Sequence, residues 1–209
     1  MVNVKLFLAF AALLPLSAMA QDQSSALMPV KTNREVLALN KKALTGDTRA
    51  QVQLGISFEF GQGVDKNLDE AMRWYRMAAD RGDPVAQTNL GYLYETGARG
   101  PANPAEAAKW YQRAAVSGFA RAQFNLGTLY LKGAGIERSA EDGAHWINKA
   151  AEVGCPTAVS VLGYLYANGV GVPRDEKKAR ELTEKAAKKN DPRACARLSR
   201  EAPDNSLLH

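Results

Sequence analysis

The chain has 209 residues, of which 46% are apolar and 23% are charged, and its formal net charge is +5 at pH 7. Its two cysteines and its two distant histidines, His145 and His209, form no cluster of metal ligands, so we expect neither a metal nor another cofactor. After the N-terminus, no segment reaches the roughly 18 consecutive apolar residues that indicate a transmembrane helix.

The first 20 residues have the pattern of a secretory signal peptide. Lys5 precedes an apolar run from Leu6 to Leu16, and the small residues Ala18 and Ala20 supply a peptidase site. Because the run is shorter than the roughly 20 residues that cross a bilayer, we predict cleavage near Ala20. The expected location is the bacterial periplasm or the medium. A buried core helix or an uncleaved anchor is the alternative.

Short flanking segments border the main part of the chain. Residues 21–33 carry no apolar periodicity and are predicted to form a flexible leader. A helix is predicted over residues 34–45, which have the pattern of a lone second helix of the repeat described below. At the other end, residues 192–201 are predicted as a single helix and residues 202–209 as a flexible tail.

Between these flanks, one sequence pattern recurs every 36 residues. An alanine marks each step, at Ala50, Ala86, Ala122, Ala158 and Ala194. In the first four steps a Leu-Gly pair follows four and five residues later, an aromatic residue eight later and a glycine eleven later. Self-similarity at a fixed period of roughly 20–50 residues is typical of stacked structural repeats.

Each step is predicted to form two helices. The alanine, leucine and aromatic positions recur at helical spacing and form one apolar stripe, which a glycine-rich segment ends. The second helix carries Trp74, Trp110 or Trp146, and Leu182 takes this position in the fourth step. Because the tryptophans share one repeat position, we interpret them as core residues between helices rather than as a ligand-binding aromatic box.

The motif Ala-x-x-x-Leu-Gly-x-x-Tyr, then Gly-x-Gly-Val, then Ala-x-x-Trp-Tyr-x-x-Ala-Ala-x-x-Gly resembles the Sel-1-like repeat, a relative of the tetratricopeptide repeat. The loop at residues 61–64, Gly-Gln-Gly-Val, favours this repeat over the plain tetratricopeptide repeat. The resemblance covers residues 34–201 and implies an all-α, right-handed α-solenoid of about four repeats with half-repeat caps. Residues 98–101, Ala-Arg-Gly-Pro, depart from the motif and leave the path of that loop open.

Resemblance to tetratricopeptide arrays implies that the first helices line a concave groove that binds a protein or peptide. The candidate partner-binding residues on the exposed face of these helices are Thr88, Asn89, Tyr92, Glu95, Phe124, Asn125, Thr128, Lys132, Ser160, Tyr164 and Asn168. Asn89 and Asn125 are the main candidates, because an amide offers both a donor and an acceptor to a peptide backbone. The alternative is that both asparagines serve a helix–helix hydrogen bond.

Cys155 and Cys195 are the only cysteines, and an even pair in an oxidising compartment favours a disulfide. Both are predicted on first helices of adjacent repeats, and packed helices lie about 8–10 Å apart, so a bridge is within reach but not assured. Cysteine-rich relatives carry a pair within each repeat. Cys195 matches one of those positions and Cys155 does not.

The sequence favours a binding protein over an enzyme. It contains no Ser-x-x-Lys, Gly-x-Ser-x-Gly or His-Glu-x-x-His motif, so a β-lactamase-like hydrolase is the less favoured reading. The basic segment at residues 174–201 lacks the interleaved aromatic residues that single-stranded nucleic acid requires, so no nucleic-acid partner is expected. We therefore predict a monomeric scaffold or adaptor of the cell envelope. A cell-wall or polysaccharide binder and a secreted host-interaction protein remain as alternatives.

Overall fold

The computed structural model describes residues 32–188, which form nine α-helices and contain no strand. The helices are α1 (Asn33–Leu44), α2 (Thr48–Phe60), α3 (Leu68–Ala79), α4 (Pro84–Thr96), α5 (Pro104–Val116), α6 (Ala120–Lys132), α7 (Ala140–Glu152), α8 (Pro156–Asn168) and α9 (Glu176–Lys188). None of these helices is both long enough and apolar enough to cross a membrane.

Each helix packs mainly against the helices before and after it in the chain. The pairs α2–α3, α4–α5, α6–α7 and α8–α9 form units one to four, and α1 packs on α2 as a half unit. This arrangement confirms the predicted all-α repeat fold. Helix α1 begins at Asn33, one residue before the predicted start, because Thr32 and Glu35 form a capping box there.

The first helix of every unit ends at a glycine in the left-handed region, with φ between 63° and 68°. The departure from the motif at residues 98–101 does not change how the loop closes. The Asn103 N–H donates to the Tyr94 carbonyl at 2.8 Å, and equivalent bonds close the loops of the other three units. Arg99, which stands where the other units have glycine, forms an ion pair with Asp69 of unit one.

The glycine inside each first helix allows the two helices of a unit to approach closely. A Cβ atom on Gly91 would lie 2.7 Å from Cε1 of Tyr111, whose side chain is completely buried. Glycine inside a helix costs about 1 kcal/mol relative to alanine. Here that cost is offset by the burial of a full tyrosine ring against the backbone of the partner helix.

Trp74 and Trp110 are only 2% and 3% exposed, in agreement with their interpretation as core residues. Trp146 is half-buried, and its ring meets the ring of His145 edge-on. Two guanidinium groups lie over the ring of Trp110. Arg113, which is on the same helix as Trp110, lies 4.5 Å from the ring centre, and Arg76 of unit one lies 5.2 Å from it. The Arg76 contact therefore adds a cation–π link between units one and two.

Buried glutamines form a second set of links between units. Each donates its side-chain amide to a backbone carbonyl of the preceding helix: Gln51 to Ala43, Gln87 to Ala79 and Gln123 to Ala115, at 3.0, 3.1 and 3.2 Å. The same position in unit four is Val159, which has no hydrogen-bonding side chain. The junction between α7 and α8 therefore lacks this link.

Several predicted segments lie outside the described residues. These are the signal peptide at residues 1–20, most of the leader at residues 21–33, the helix at residues 192–201 and the tail at residues 202–209. Their boundaries stay predictions.

Candidate peptide-binding groove

The first helices of units one, two and three direct polar side chains towards one another. Arg121, near the start of α6, lies close enough to act electrostatically on Glu59 of α2 and on Tyr92 of α4. Side chains from three successive first helices therefore share one surface. We call it the polar groove and define it by Glu59, Asn89, Tyr92, Glu95, Arg121 and Asn125.

A buried tyrosine organises the first part of the polar groove. The Tyr75 hydroxyl donates to Oε2 of Glu59 at 2.6 Å, and the Asn89 amide, from the next unit, hydrogen-bonds the same hydroxyl. Asn89 Oδ1 in turn accepts a long hydrogen bond of 3.5 Å from Nη1 of Arg121. The result is one directed chain, Arg121 to Asn89 to Tyr75 to Glu59.

The pKa shifts follow from burial. Burial, and then the adjacent Glu59 carboxylate, raise the pKa of Tyr75 well above its usual value, so the hydroxyl keeps its proton and remains a donor at neutral pH. Burial also raises the pKa of the Glu59 carboxyl, although the Tyr75 hydrogen bond and the charges of Arg121 and Lys66 act to lower it.

Unit two repeats this network 36 residues further along the chain. The Tyr111 hydroxyl donates to Oε2 of Glu95 at 2.8 Å, and the Asn125 amide, again from the next unit, hydrogen-bonds that hydroxyl. Burial and the charge of Glu95 raise the pKa of Tyr111 well above its usual value. The two networks therefore present two carboxylates and two amides along one face.

Unit three replaces all three members of the network with apolar residues. Leu131 stands at the glutamate position, Ile147 at the tyrosine position and Val161 at the asparagine position. Leu131 and Val161 pack, together with Phe124 and Tyr164, against one core cluster that includes Ile147. We call Phe124, Leu131, Val161 and Tyr164 the apolar end of the groove.

An open cavity of about 550 Å³ lies between α8 and α9. Ser160, Tyr164 and Ala167 line it from α8, and Ala179, Arg180 and Thr183 line it from α9. Because Tyr164 also belongs to the apolar end, the cavity and the apolar end are adjacent.

The candidate residues differ in how much surface they offer. Lys132, Ser160 and Asn168 are exposed, and the half-buried ones are Asn89, Tyr92, Glu95, Phe124, Asn125, Thr128 and Tyr164. Thr88 is completely buried, and its hydroxyl donates to the Pro84 carbonyl at 2.7 Å. It lies beneath the surface, so we leave it out of the groove.

Sequence reasoning missed Glu59, Tyr75, Tyr111 and Arg121 as site residues. The available signal was a glutamate followed 16 residues later by a tyrosine, present in units one and two and absent from unit three. The structure also shows that both asparagines bond a helix of the preceding unit, as the alternative interpretation held. That role fixes their side chains within the groove and is compatible with contact to a partner.

Cys155 is buried at the residue before α8. Cys195 lies outside the described residues, so the disulfide between them stays a prediction. Among residues 32–188, no three His, Cys, Asp or Glu side chains are grouped in a way that could hold a metal ion.

A family model described as the Sel1 repeat matches residues 48–83, 84–118, 120–155 and 156–191. This chain belongs to the Sel1 repeat family. The four matched Sel1 repeats correspond to units one to four, so the resemblance inferred from the motif is confirmed. Sel1 repeat proteins generally mediate protein–protein interactions and act as non-enzymatic scaffolds.

Two solved structures support the same assignment. The protective antigen c5321 of uropathogenic Escherichia coli, described as displaying an SLR fold, is 36% identical with a TM-score of 0.73 over 79% of this chain and 36% of the antigen. A Sel1 repeat protein from Oxalobacter formigenes is 32% identical with a TM-score of 0.71 over 81% of this chain and 67% of that protein. This chain thus spans 36% of the length of the antigen. No curated protein matches this chain.

Proposed function

We propose that this protein is a non-catalytic scaffold or adaptor of the bacterial cell envelope that binds a peptide segment of a partner protein in the polar groove. The observation that carries the proposal is the difference between units two and three. At equivalent positions, unit two has Glu95, Tyr111 and Asn125, whereas unit three has three apolar residues.

Unit three is an internal control for what the fold requires. Its helices pack around Leu131, Ile147 and Val161, and Gly143, which stands where unit two has Ala107, leaves room for Leu131, so the scaffold accepts this apolar set. Burying a carboxylate and a hydroxyl costs free energy unless both are hydrogen-bonded, and replacing such groups with apolar residues is often neutral or stabilising. Retention of the polar network in units one and two therefore supports a role in binding rather than in folding.

The groove offers the groups that an extended peptide needs. Asn89 and Asn125 each carry an amide donor and a carbonyl acceptor, and their bonds to buried tyrosines hold them in place. Such preorganisation reduces the entropy lost on binding. The adjacent apolar end and the cavity beside Tyr164 would accept apolar side chains of the same peptide.

The decisive experiment replaces the residues of the polar network in unit two with the residues at the equivalent positions of unit three. In the variant Glu95→Leu, Ala107→Gly, Tyr111→Ile, Asn125→Val, in which the glycine makes room for the leucine as Gly143 does for Leu131, we expect unchanged helicity by circular dichroism and at least tenfold less partner retained from an envelope extract. The matched control is Lys109→Ala, an exposed residue of α5 outside the groove, and it should retain the partner as the wild type does. Equal retention by the wild type and this folded variant would refute the proposal.

The envelope location rests on the signal-peptide pattern at residues 1–20. The similar E. coli protein is described as a protective antigen, which favours an exported protein and keeps host contact as a second candidate. Fractionation of cells that express the full-length sequence tests both. We expect the processed chain in the periplasm, whereas recovery mainly in the medium would favour host contact and recovery in the cytoplasm would exclude both.

A further inference from the structure

One position on the second helix of each unit faces the glycine inside the first helix. In units one, two and three this position is Tyr75, Tyr111 and Ile147, and all three side chains are completely buried. Each lies so close to its glycine that a Cβ atom there would overlap the tyrosine ring or the isoleucine chain. The side chain at this position therefore fills the space between the two helices of a unit.

Unit four does not fill this space in the same way. Its residue at the position is Thr183, which is exposed and has no ring. The Thr183 hydroxyl donates to the Ala179 carbonyl of its own helix at 2.8 Å. Ala167 stands where units one and two have the glutamate that accepts from the tyrosine. Both members of the tyrosine–glutamate pair are therefore replaced by small side chains.

The cavity between α8 and α9 lies at this place. Gly163, Ala167 and Thr183 all line it, and its volume is about 550 Å³. A buried cavity of about 150 Å³ is enough to hold benzene, so this one has room for an aromatic ring. Tyr164 lines the cavity and belongs to the apolar end, so the cavity is continuous with the groove.

From this replacement we propose that the cavity of unit four binds a tyrosine side chain of the partner peptide, in the place that Tyr75 and Tyr111 hold in units one and two. This inference rests on the proposed function and specifies one residue of its partner. The ring would pack on Gly163, and burial of an aromatic ring supplies much of the energy of a protein interface.

The charges around the cavity fit a phenolic hydroxyl. In unit one the Tyr75 hydroxyl donates to the Glu59 carboxylate. Ala167 cannot accept such a bond, but the side chains of Glu176 and Glu184 line the same cavity and offer carboxylate oxygens. A tyrosine supplied by a partner therefore finds both a surface for its ring and acceptors for its hydroxyl.

The first test uses small probes on the protein purified from cells that express the full-length sequence. Nα-acetyltyrosine methylamide should shift the backbone amide signals of Gly163 and Thr183 in a saturable way in nuclear magnetic resonance spectra. Nα-acetylleucine methylamide, which is apolar but has no ring, should bind about fivefold more weakly. Equal binding of the two probes, or no saturable shift with either, would overturn the proposal.

The second test supplies the tyrosine within the chain. The variant Ala167→Glu, Thr183→Tyr introduces the pair found in units one and two, so its own ring should fill the cavity and abolish binding of the tyrosine probe. Ala179 is an alanine as in those units, so the new glutamate has the same room, and circular dichroism should show unchanged helicity. The matched control is Thr183→Val, which keeps the cavity and should bind the probe as the wild type does.

The chain's own C-terminal residues are the competing occupant of the cavity. Residues 189–209 lie outside the described part of the chain and include two adjacent leucines, Leu207 and Leu208. In the variant Leu207→Ser, Leu208→Ser, the tyrosine probe should bind with the wild-type affinity. Clearly tighter binding in this variant would show that the chain's own end occupies the cavity, and it would overturn the proposal.

The outcomes separate this inference from the proposed function. If the unit-two variant and the variant with the filled cavity each retain at least tenfold less partner, both stand. If the unit-two variant loses the partner but the filled variant retains it as the wild type does, the polar groove is the binding site and the tyrosine requirement is wrong. If only the filled variant loses the partner, the cavity binds it and the proposed role of the polar groove is wrong.

Discussion

Alkaline unfolding provides a direct test of the two buried networks. Tyr75 and Tyr111 are completely buried and bonded to carboxylates, and burial followed by the adjacent carboxylate raises each pKa well above the ordinary value of 10.0. A raised pKa means that the folded chain holds the proton more tightly than the unfolded chain. The stabilisation is therefore complete below pH 10 and is lost as the pH rises from there through the pKa of the folded state.

The magnitude follows from the unfolded reference. At pH 11 an unfolded tyrosine with a pKa near 10 is about 90% ionised, whereas the native tyrosines remain protonated. Each then lowers the free energy of unfolding by about 1.4 kcal/mol, or about 2.8 kcal/mol for the pair. At neutral pH, Tyr75→Phe or Tyr111→Phe should each cost about 1.5–3 kcal/mol, because a hydrogen bond to a carboxylate is removed.

Urea unfolding followed by tryptophan fluorescence at pH 9 and pH 11 measures this loss. The wild type should lose about 2.8 kcal/mol more between the two pH values than the double variant Tyr75→Phe, Tyr111→Phe. The control is Tyr130→Phe, whose hydroxyl makes no hydrogen bond within the described part of the chain, and it should behave as the wild type does. The same alkaline loss in the wild type and the double variant would refute the reasoning.

Two further predictions concern packing and covalent links. Gly91→Ala should lower the free energy of unfolding by about 1–3 kcal/mol, since its Cβ would lie 2.7 Å from a buried tyrosine ring, whereas Gly163→Ala, 3.2 Å from a threonine hydroxyl, should cost less. Thermal melts of both variants test this order, and a larger loss at Gly163 would contradict it. If Cys155 and Cys195 form a disulfide, the intact mass will be two hydrogens lower than that of the reduced chain. Reduction will then lower the free energy of unfolding by about 2–4 kcal/mol. A mass unchanged by reductant would show two thiols.

The fold could be predicted from the sequence because the repeat constrains every unit in the same way. The Leu-Gly pair, the aromatic position and the terminal glycine recur at fixed spacing, and each has one structural cause: an apolar stripe, a close helix approach or a left-handed helix end. Periodicity also predicted that Asn89 and Asn125 lie on the outer face of the first helices, and both are half-buried in the structure. The same periodicity wrongly predicted an exposed side chain for Thr88, because the burial of Thr88 depends on how closely neighbouring helices approach.

The polar networks were harder to predict because each joins three helices. Glu59, Tyr75 and Asn89 lie on α2, α3 and α4, and no local pattern indicates that their side chains meet. A strong repeat also makes functional residues hard to recognise, because a residue that recurs in every unit is readily interpreted as part of the scaffold. The informative position was the one at which the repeat breaks, with Leu131 in place of a glutamate.

The missing link at Val159 makes the coupling between units uneven. In a linear array the stability is close to a sum of terms for each unit and for each junction. The junction between α7 and α8 lacks the glutamine bond and, at Cys155, also lacks a side-chain cap for the helix start. We therefore expect amide hydrogens in α8 and α9 to exchange before those in units one to three. The polar groove then lies in the units whose amide hydrogens exchange slowly. A partner that also fills the cavity beside Tyr164 would slow amide exchange in α8 and α9.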